Sequence, residues 1–247
     1  RMLTLNTGQT TMSTRHLMEI LYLDYFNMPI EGITLVSDKD GERPTENTSE
    51  FNFKEILDGY YSYIEGTEVP IDRADILDNI QTIKDLEKTD EEKEGFRKFL
   101  LTYQKLLDKL IALSGNFAYN EDEFKSSEYE LSGPPFGKTA LAFFKKSQAL
   151  TGLGSALHFL KVRRNIGLEI IGNSIDHLSS EKYPNREIFK LLNKHFDYIR
   201  SRSKKVGNDQ RYYFRVYFQS LFDQELDTCN HLDLSAERAY QRVKEKI

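Results

Sequence analysis

Asp90-Glu91-Glu92-Lys93-Glu94-Gly95-Phe96-Arg97-Lys98-Phe99-Leu100-Leu101-Thr102-Tyr103-Gln104-Lys105-Leu106-Leu107-Asp108-Lys109-Leu110-Ile111-Ala112-Leu113-Ser114 is the stretch that decides the fold class. Phe96, Phe99, Leu100, Tyr103, Leu106, Leu107, Leu110 and Leu113 recur at the spacing that lines one face of an α-helix. Thr89 precedes the stretch with Glu92 three residues on, the two halves of a capping box. Ser114-Gly115-Asn116 closes it. The same period runs through the flanking chain. Phe53, Ile56, Leu57, Tyr60 and Ile64 share a face before Gly66, and Asp72 opens a segment with Ile76, Leu77, Ile80 and Ile83 inward.

Further along, Ala140, Phe143, Phe144 and Ser147 predict a helix that halts at Gly152-Leu153-Gly154, with two more over residues 155–162 and 166–178. Pro184-Asn185 starts a long helix with Ile188, Leu191, Leu192, His195, Phe196 and Ile199 inward. Residues 211–218 are rich in aromatics and fit a strand or a helix; continuation of the pattern to Phe222 favours helix. Ser235 is read as the cap of a last helix with Ala239, Tyr240 and Val243 inward. At the other end Ser13 caps a helix that stops at Asn27-Met28-Pro29, because the residue before proline disfavours the α region. The expectation is an all-α fold, an irregular multi-helix bundle of about nine helices. At most a short β-hairpin interrupts it near residues 33–45, with Ile33–Val36 as a strand and Asp40-Gly41 as the turn.

A chain of 247 residues can bury a substantial core in one large or two small domains. Its 39% hydrophobic and 30% charged residues, with a mean hydropathy of −0.57, belong to a globular rather than a disordered sequence. No apolar run approaches the ~18 residues that span a bilayer, so no membrane partner is expected. Cys229 is the single cysteine, which excludes an internal disulfide and a multi-cysteine zinc site and fits a cytoplasmic protein.

The net charge of −5 conceals an asymmetry. Residues 1–125 hold 14 Lys+Arg against 25 Asp+Glu, a balance of −11, and the remainder carries +6. The composition changes in the loop 116–137. Two regions are therefore expected, an acidic helical one over 1–120 that begins with the end of an upstream domain, and a basic helical one over 121–247. Such an asymmetry suits either a nucleic-acid or acidic-partner surface on the basic side or mutual attraction of the two halves.

Few residues are arranged for chemistry. Gly133-Pro134-Pro135-Phe136-Gly137-Lys138-Thr139 is one residue short of a phosphate-binding loop and follows no buried strand, so a Pro-Gly turn before a helix is the better reading. None of His16, His158, His177, His195 and His231 lies three or four residues from another, so no helical histidine pair for a metal exists. Asp90-Glu91-Glu92 sits at a helix start, where acidic residues complement the dipole, and Glu121-Asp122-Glu123 in the loop 116–137, so both read as structural. No catalytic residue, metal site or cofactor is implied. The candidates for contact with DNA or RNA are two basic clusters, Arg163 and Arg164 (with Lys161), and Arg200, Arg202, Lys204 and Lys205 followed by Arg211. Tyr198, Tyr212 and Tyr213 surround the second, and aromatic faces can stack on bases.

The opening segment Leu5-Asn6-Thr7-Gly8-Gln9-Thr10-Thr11-Met12-Ser13-Thr14-Arg15-His16 resembles a phrase in bacterial proteins built on a ParB-like (sulfiredoxin-like) fold. There an earlier Asp-Gly-Gln-type motif supplies the main site, and an Asn-Thr-Gly phrase leads into a helical region. Asn6, Thr7 and Gly8 match its turn, and Asn and Gly tolerate the positive φ that a tight turn needs. The Asp-Gly-Gln motif itself and an HNH-type nuclease domain are absent from the sequence. The resemblance implies a piece of a longer protein, lying downstream of a possible catalytic domain. It further implies a nucleic-acid-associated protein of the kind found in restriction or anti-phage systems. The alternative is a protein-interaction or homo-oligomerisation domain that does not bind nucleic acid.

Overall fold

The computed structural model describes residues 22–37, 47–70, 89–115, 119–125, 130–183 and 185–247. The Asn6-Thr7-Gly8 turn, the Ser13 cap, the Asp40-Gly41 turn and the helix expected after Asp72 lie outside the described residues. Ten α-helices occur among those residues, with one two-stranded sheet. In chain order they are α1 (Leu23–Phe26), β1 (Thr34–Val36), β2 (Glu50–Asn52), α2 (Phe53–Glu65), α3 (Asp90–Ser114) and α4 (Glu121–Lys125). Then follow α5 (Ala140–Phe144), α6 (Ser147–Arg164), α7 (Leu168–Ser174), α8 (Asn185–Arg202), α9 (Val206–Phe222) and α10 (Leu232–Lys246). The fold is all-α but for the strand pair. No helix among the described residues is long and apolar enough to cross a membrane.

Local signals in the sequence set several of these boundaries. The Thr89 hydroxyl accepts from the Glu92 N–H at 3.2 Å and the Glu92 carboxylate accepts from the Thr89 N–H at 2.8 Å, completing the capping box of α3. Asn52 caps α2, and Gly66 ends it at φ 74°, a left-handed conformation that glycine adopts without a Cβ penalty. α1 stops at Asn27, two residues before Pro29.

The strand pair is parallel, not a hairpin: Thr34 lies beside Glu50, Leu35 beside Phe51 and Val36 beside Asn52. Parallel pairing needs a connection of about a dozen residues, and residues 37–49 provide it. Asn47 turns the chain into β2, its side-chain oxygen accepting from the N–H groups of Ser49 (2.8 Å) and Glu50 (2.9 Å). Lys145 then holds the entry to β2 from across the fold, donating to the backbone carbonyls of Asn47 and Glu50. A turn dipeptide inside the connection carries no information about these distant donors.

The centre of the molecule is α6. Gly152-Leu153-Gly154 does not stop it; the helix runs unbroken from Ser147 to Arg164. Residues 152 and 154 are about 200° apart on a helix, so the two glycines face opposite neighbours. A Cβ on Gly154 would stand 2.1 Å from the carbonyl oxygen of Gly59 in α2, and one on Gly152 would stand 2.5 Å from the Cβ of Phe214 in α9. Every residue from Ala149 to Leu157 is buried. A helix covered on all sides has no polar face to set off an apolar stripe, so periodicity could not mark it. The glycines each cost the helix about 1 kcal/mol relative to Ala, which the close packing they permit offsets.

α3 lies against α2, with Tyr60 and Tyr63 on Phe99 and Tyr25 stacked on Phe96 at 4.6 Å. Phe136, Phe143, Phe196 and Phe214 form a second aromatic cluster that joins α5, α8 and α9. α9 and α10 pack antiparallel, so that Asp209 near the start of α9 meets Lys246 at the end of α10. α10 begins at Leu232, not at Ser235. His231 precedes it, and the Ser235 hydroxyl is buried and donates to the Thr228 carbonyl at 3.1 Å, tying down the preceding loop.

Candidate functional site

The basic residues end up where helix ends place them. α8 turns Ile188, Leu192, Phe196 and Ile199 into the core, which leaves Arg200 and Arg202 in its last turn, where cations complement the dipole. The chain then bends through Ser203. The Ser203 N–H donates to the Ile199 carbonyl at 2.8 Å, and the Ser203 hydroxyl accepts from the Lys205 N–H at 2.9 Å. That hydroxyl also donates to Asp209 at 2.5 Å. Asp209 lies in the first turn of α9, only 6% exposed, and its other oxygen takes the Lys246 ammonium at 2.9 Å. Burial opposes ionisation of Asp209, but the Ser203 hydroxyl and Lys246 outweigh it and hold the carboxyl below its usual range. This lock fastens the α8–α9 turn to the end of α10.

Beside the lock is a groove of about 480 Å³ lined by Arg202, Lys204, Lys205, Asn208, Asp209, Lys246 and Ile247. Arg202, Lys204 and Lys205 are exposed, and none of them pairs with a carboxylate of the described residues. Lys246 is the member that reasoning from sequence missed. Lys244 and Lys246 could be read as the basic last turn of a helix, but only the antiparallel packing of α9 and α10 puts Lys246 beside Lys205.

The other candidates are not brought to this groove. Arg163 is exposed at the end of α6. Arg164 beside it is neutralised, its Nε donating to Asp223 at 3.1 Å and its Nη1 lying 2.9 Å from Glu225. Asp223 follows the last residue of α9, while Lys205 precedes the first. The two clusters therefore sit at opposite ends of a 17-residue helix, about 25 Å apart at 1.5 Å per residue. Arg200 pairs with Asp197 at 3.1 Å. Arg211 lies between them on α9, half-buried. Burial pulls its guanidinium below the ordinary range, against the attraction of Asp58 and Glu68.

The tyrosines differ as well. Tyr213 is fully buried and its hydroxyl meets Nδ1 of His195 at 2.8 Å. His195 stacks on Tyr240 at 4.1 Å, and burial lowers its pKa to about 3, so it is a neutral core residue. Tyr212 has the Lys246 ammonium 4.4 Å and the Arg215 guanidinium 5.0 Å from its ring centre.

Elsewhere the chemistry is structural. Thr139 caps α5, accepting from the Ala142 N–H at 3.1 Å, and a Cβ on Gly137 would stand 2.5 Å from the Phe143 nitrogen. The Gly133–Thr139 segment is thus packed against its own helix rather than wrapped for a phosphate. Glu121-Asp122-Glu123, expected in a loop, forms instead the first turn of the short helix α4. Cys229 is half-buried, and burial and the Asp223 carboxylate push its thiol up. No three His, Cys, Asp or Glu side chains among the described residues gather as a metal site. No protein-family model, curated protein or solved structure matches this chain.

Proposed function

We propose that this chain is a non-catalytic helical region of a nucleic-acid-associated protein, and that it meets phosphate at the groove between the α8–α9 turn and the end of α10. One observation carries the reading. Arg202, Lys204 and Lys205 are exposed within four consecutive residues and pair with no carboxylate among the described residues, while Arg164, Arg200 and Lys246 are already held by Asp223, Asp197 and Asp209. In a chain of net charge −5, such a local concentration of positive charge is what attracts a polyanion. The Asn6-Thr7-Gly8 resemblance points to the same class of protein.

The test is fluorescence anisotropy with labelled duplex DNA and duplex RNA at low and moderate salt. Binding that weakens as salt rises is expected. The R202A/K204A/K205A variant should lose at least tenfold in affinity, and R163A, at the far end of α9, should lose little. Negligible binding at low salt, or equal binding by the triple variant, overturns the proposal.

A further inference from the structure

We infer that the groove takes a single nucleic-acid strand, with a base stacked on Tyr198 one helical turn before Arg202. The inference rests on the proposed function above and adds the form of the nucleic acid and a contact to its bases.

α8 and α10 lie side by side and run in the same direction: His195 stacks on Tyr240 near their middles, and Arg202 and Ile247 both line the groove at their ends. Each helix carries a tyrosine four residues before a cation, Tyr198 before Arg202 and Tyr240 before Lys244. That spacing puts ring and cation on one face of a helix, about 6 Å apart along its axis, a step that one nucleotide spans. The two rings meet edge to face with their centres 5.3 Å apart, so the two pairs form one seam that leads into the groove.

The tyrosines near the groove are not equally open. Tyr213 is buried, Tyr212 holds the Lys246 and Arg215 cations over its ring, and Tyr240 holds His195 and Lys244. Tyr198 is half-buried, and Tyr240 is the one ring that meets it among the described residues. A perpendicular neighbour covers at most one face of a ring, which leaves Tyr198 a face without a ring or a cation on it. Asp197 beside it is taken up by Ser132 and Arg200, so its charge is already met.

Every base has a π-face that such a ring can stack on, and cations beside the ring hold the backbone. In a duplex those faces are closed by the neighbouring bases of the stack. An unpaired strand therefore uses Tyr198 together with Arg202, Lys204 and Lys205, where a duplex uses the cations. One stacked base contributes roughly 5- to 150-fold in affinity.

The experiment measures anisotropy of the intact chain, at about 50 mM salt, with three labelled probes: an oligothymidylate of about 12 nucleotides, its abasic counterpart of equal charge, and a duplex of that length. The oligothymidylate should bind at least about fivefold more tightly than the abasic strand and no more weakly than the duplex. In Y198A the ratio between the two strands should fall below about twofold, while Y198F should keep it. The chain has no tryptophan, so Y198W supplies a sole indole, whose emission the oligothymidylate should quench and the abasic strand should not. A smaller wild-type ratio, tighter binding of the duplex, a ratio that stays above about twofold in Y198A, or equal or absent quenching by the two strands overturns the inference while nucleic-acid binding stands. Binding of none of the three probes overturns the proposed function instead.

Discussion

Replacing Gly154 by alanine tests the packing on which the whole bundle is centred. Helix propensity alone argues that G154A stabilises α6 by about 1 kcal/mol. The tertiary structure argues the reverse. The new Cβ would stand 2.1 Å from the Gly59 carbonyl oxygen and 2.8 Å from the Ser62 Cβ. A tolerable contact needs at least 3.0 Å or so, so α2 and α6 must part by roughly 1 Å. The obstacle is backbone, which cannot rotate away as a side-chain tip can. Overpacking of a close-packed interface costs typically 1–3 kcal/mol, and a backbone clash belongs at the upper end of that range. Set against the propensity gain, the net loss is about 2 kcal/mol, or roughly 4–8 °C in Tm for a chain of this size. The control is G172A in α7, where an added Cβ meets nothing within 4 Å, so propensity acts alone and a gain of up to about 1 kcal/mol is expected. Urea and thermal unfolding followed by circular dichroism read both variants. If G154A unfolds at or above the wild-type midpoint, or the two substitutions shift stability in the same direction, the close approach of α2 and α6 is wrong.

His195 makes stability depend on pH. The folded chain keeps the imidazole neutral, with its pKa lowered to about 3, while the unfolded chain takes up a proton below about 6.5. The unfolded state therefore binds more protons, and stability falls as pH drops from about 6.5 toward 3. Between pH 7 and 5 this residue accounts for a loss of about 2 kcal/mol, and H195Q should show a correspondingly flatter profile in urea titrations at the two pH values. D209N removes a negative charge from the groove and releases Lys246 while keeping an acceptor for Ser203. Its affinity for duplex DNA should rise severalfold, with a salt slope steeper by about 0.9, and unchanged binding would show that phosphate goes elsewhere. T89A removes the hydroxyl half of the α3 capping box and should cost about 1 kcal/mol in thermal unfolding; a neutral result would mean that the first turn of α3 contributes nothing to the cooperative unit.

What could be read from the amino acids alone is what short-range physics controls. The apolar stripe of α3 and its Thr89–Glu92 box, the αL stop at Gly66, the inward face of α8 from Ile188 to Ile199, and the helical course of Arg211–Phe222 each depend on residues within a turn or two of one another. So does the failure of Gly133–Thr139 to make a phosphate loop. The tertiary structure alone decided the rest. Gly152 and Gly154 are helix breakers by propensity and interhelix contacts in fact, because what matters is Phe214 and Gly59, far away in the chain. The strand pair runs parallel, and Lys145, far along the chain, holds the entry to β2. Of the seven cations that read as one basic half, Arg163 and Arg164 lie at one end of α9, Arg200, Arg202, Lys204 and Lys205 at the other, and Arg211 between them. Arg164 is neutralised by Asp223, Arg200 by Asp197, and Lys246 joins Lys205 from the last helix. Charge is additive along a sequence, but its effect depends on which opposite charge lies within a few ångströms, and that distance exists only after the helices have packed.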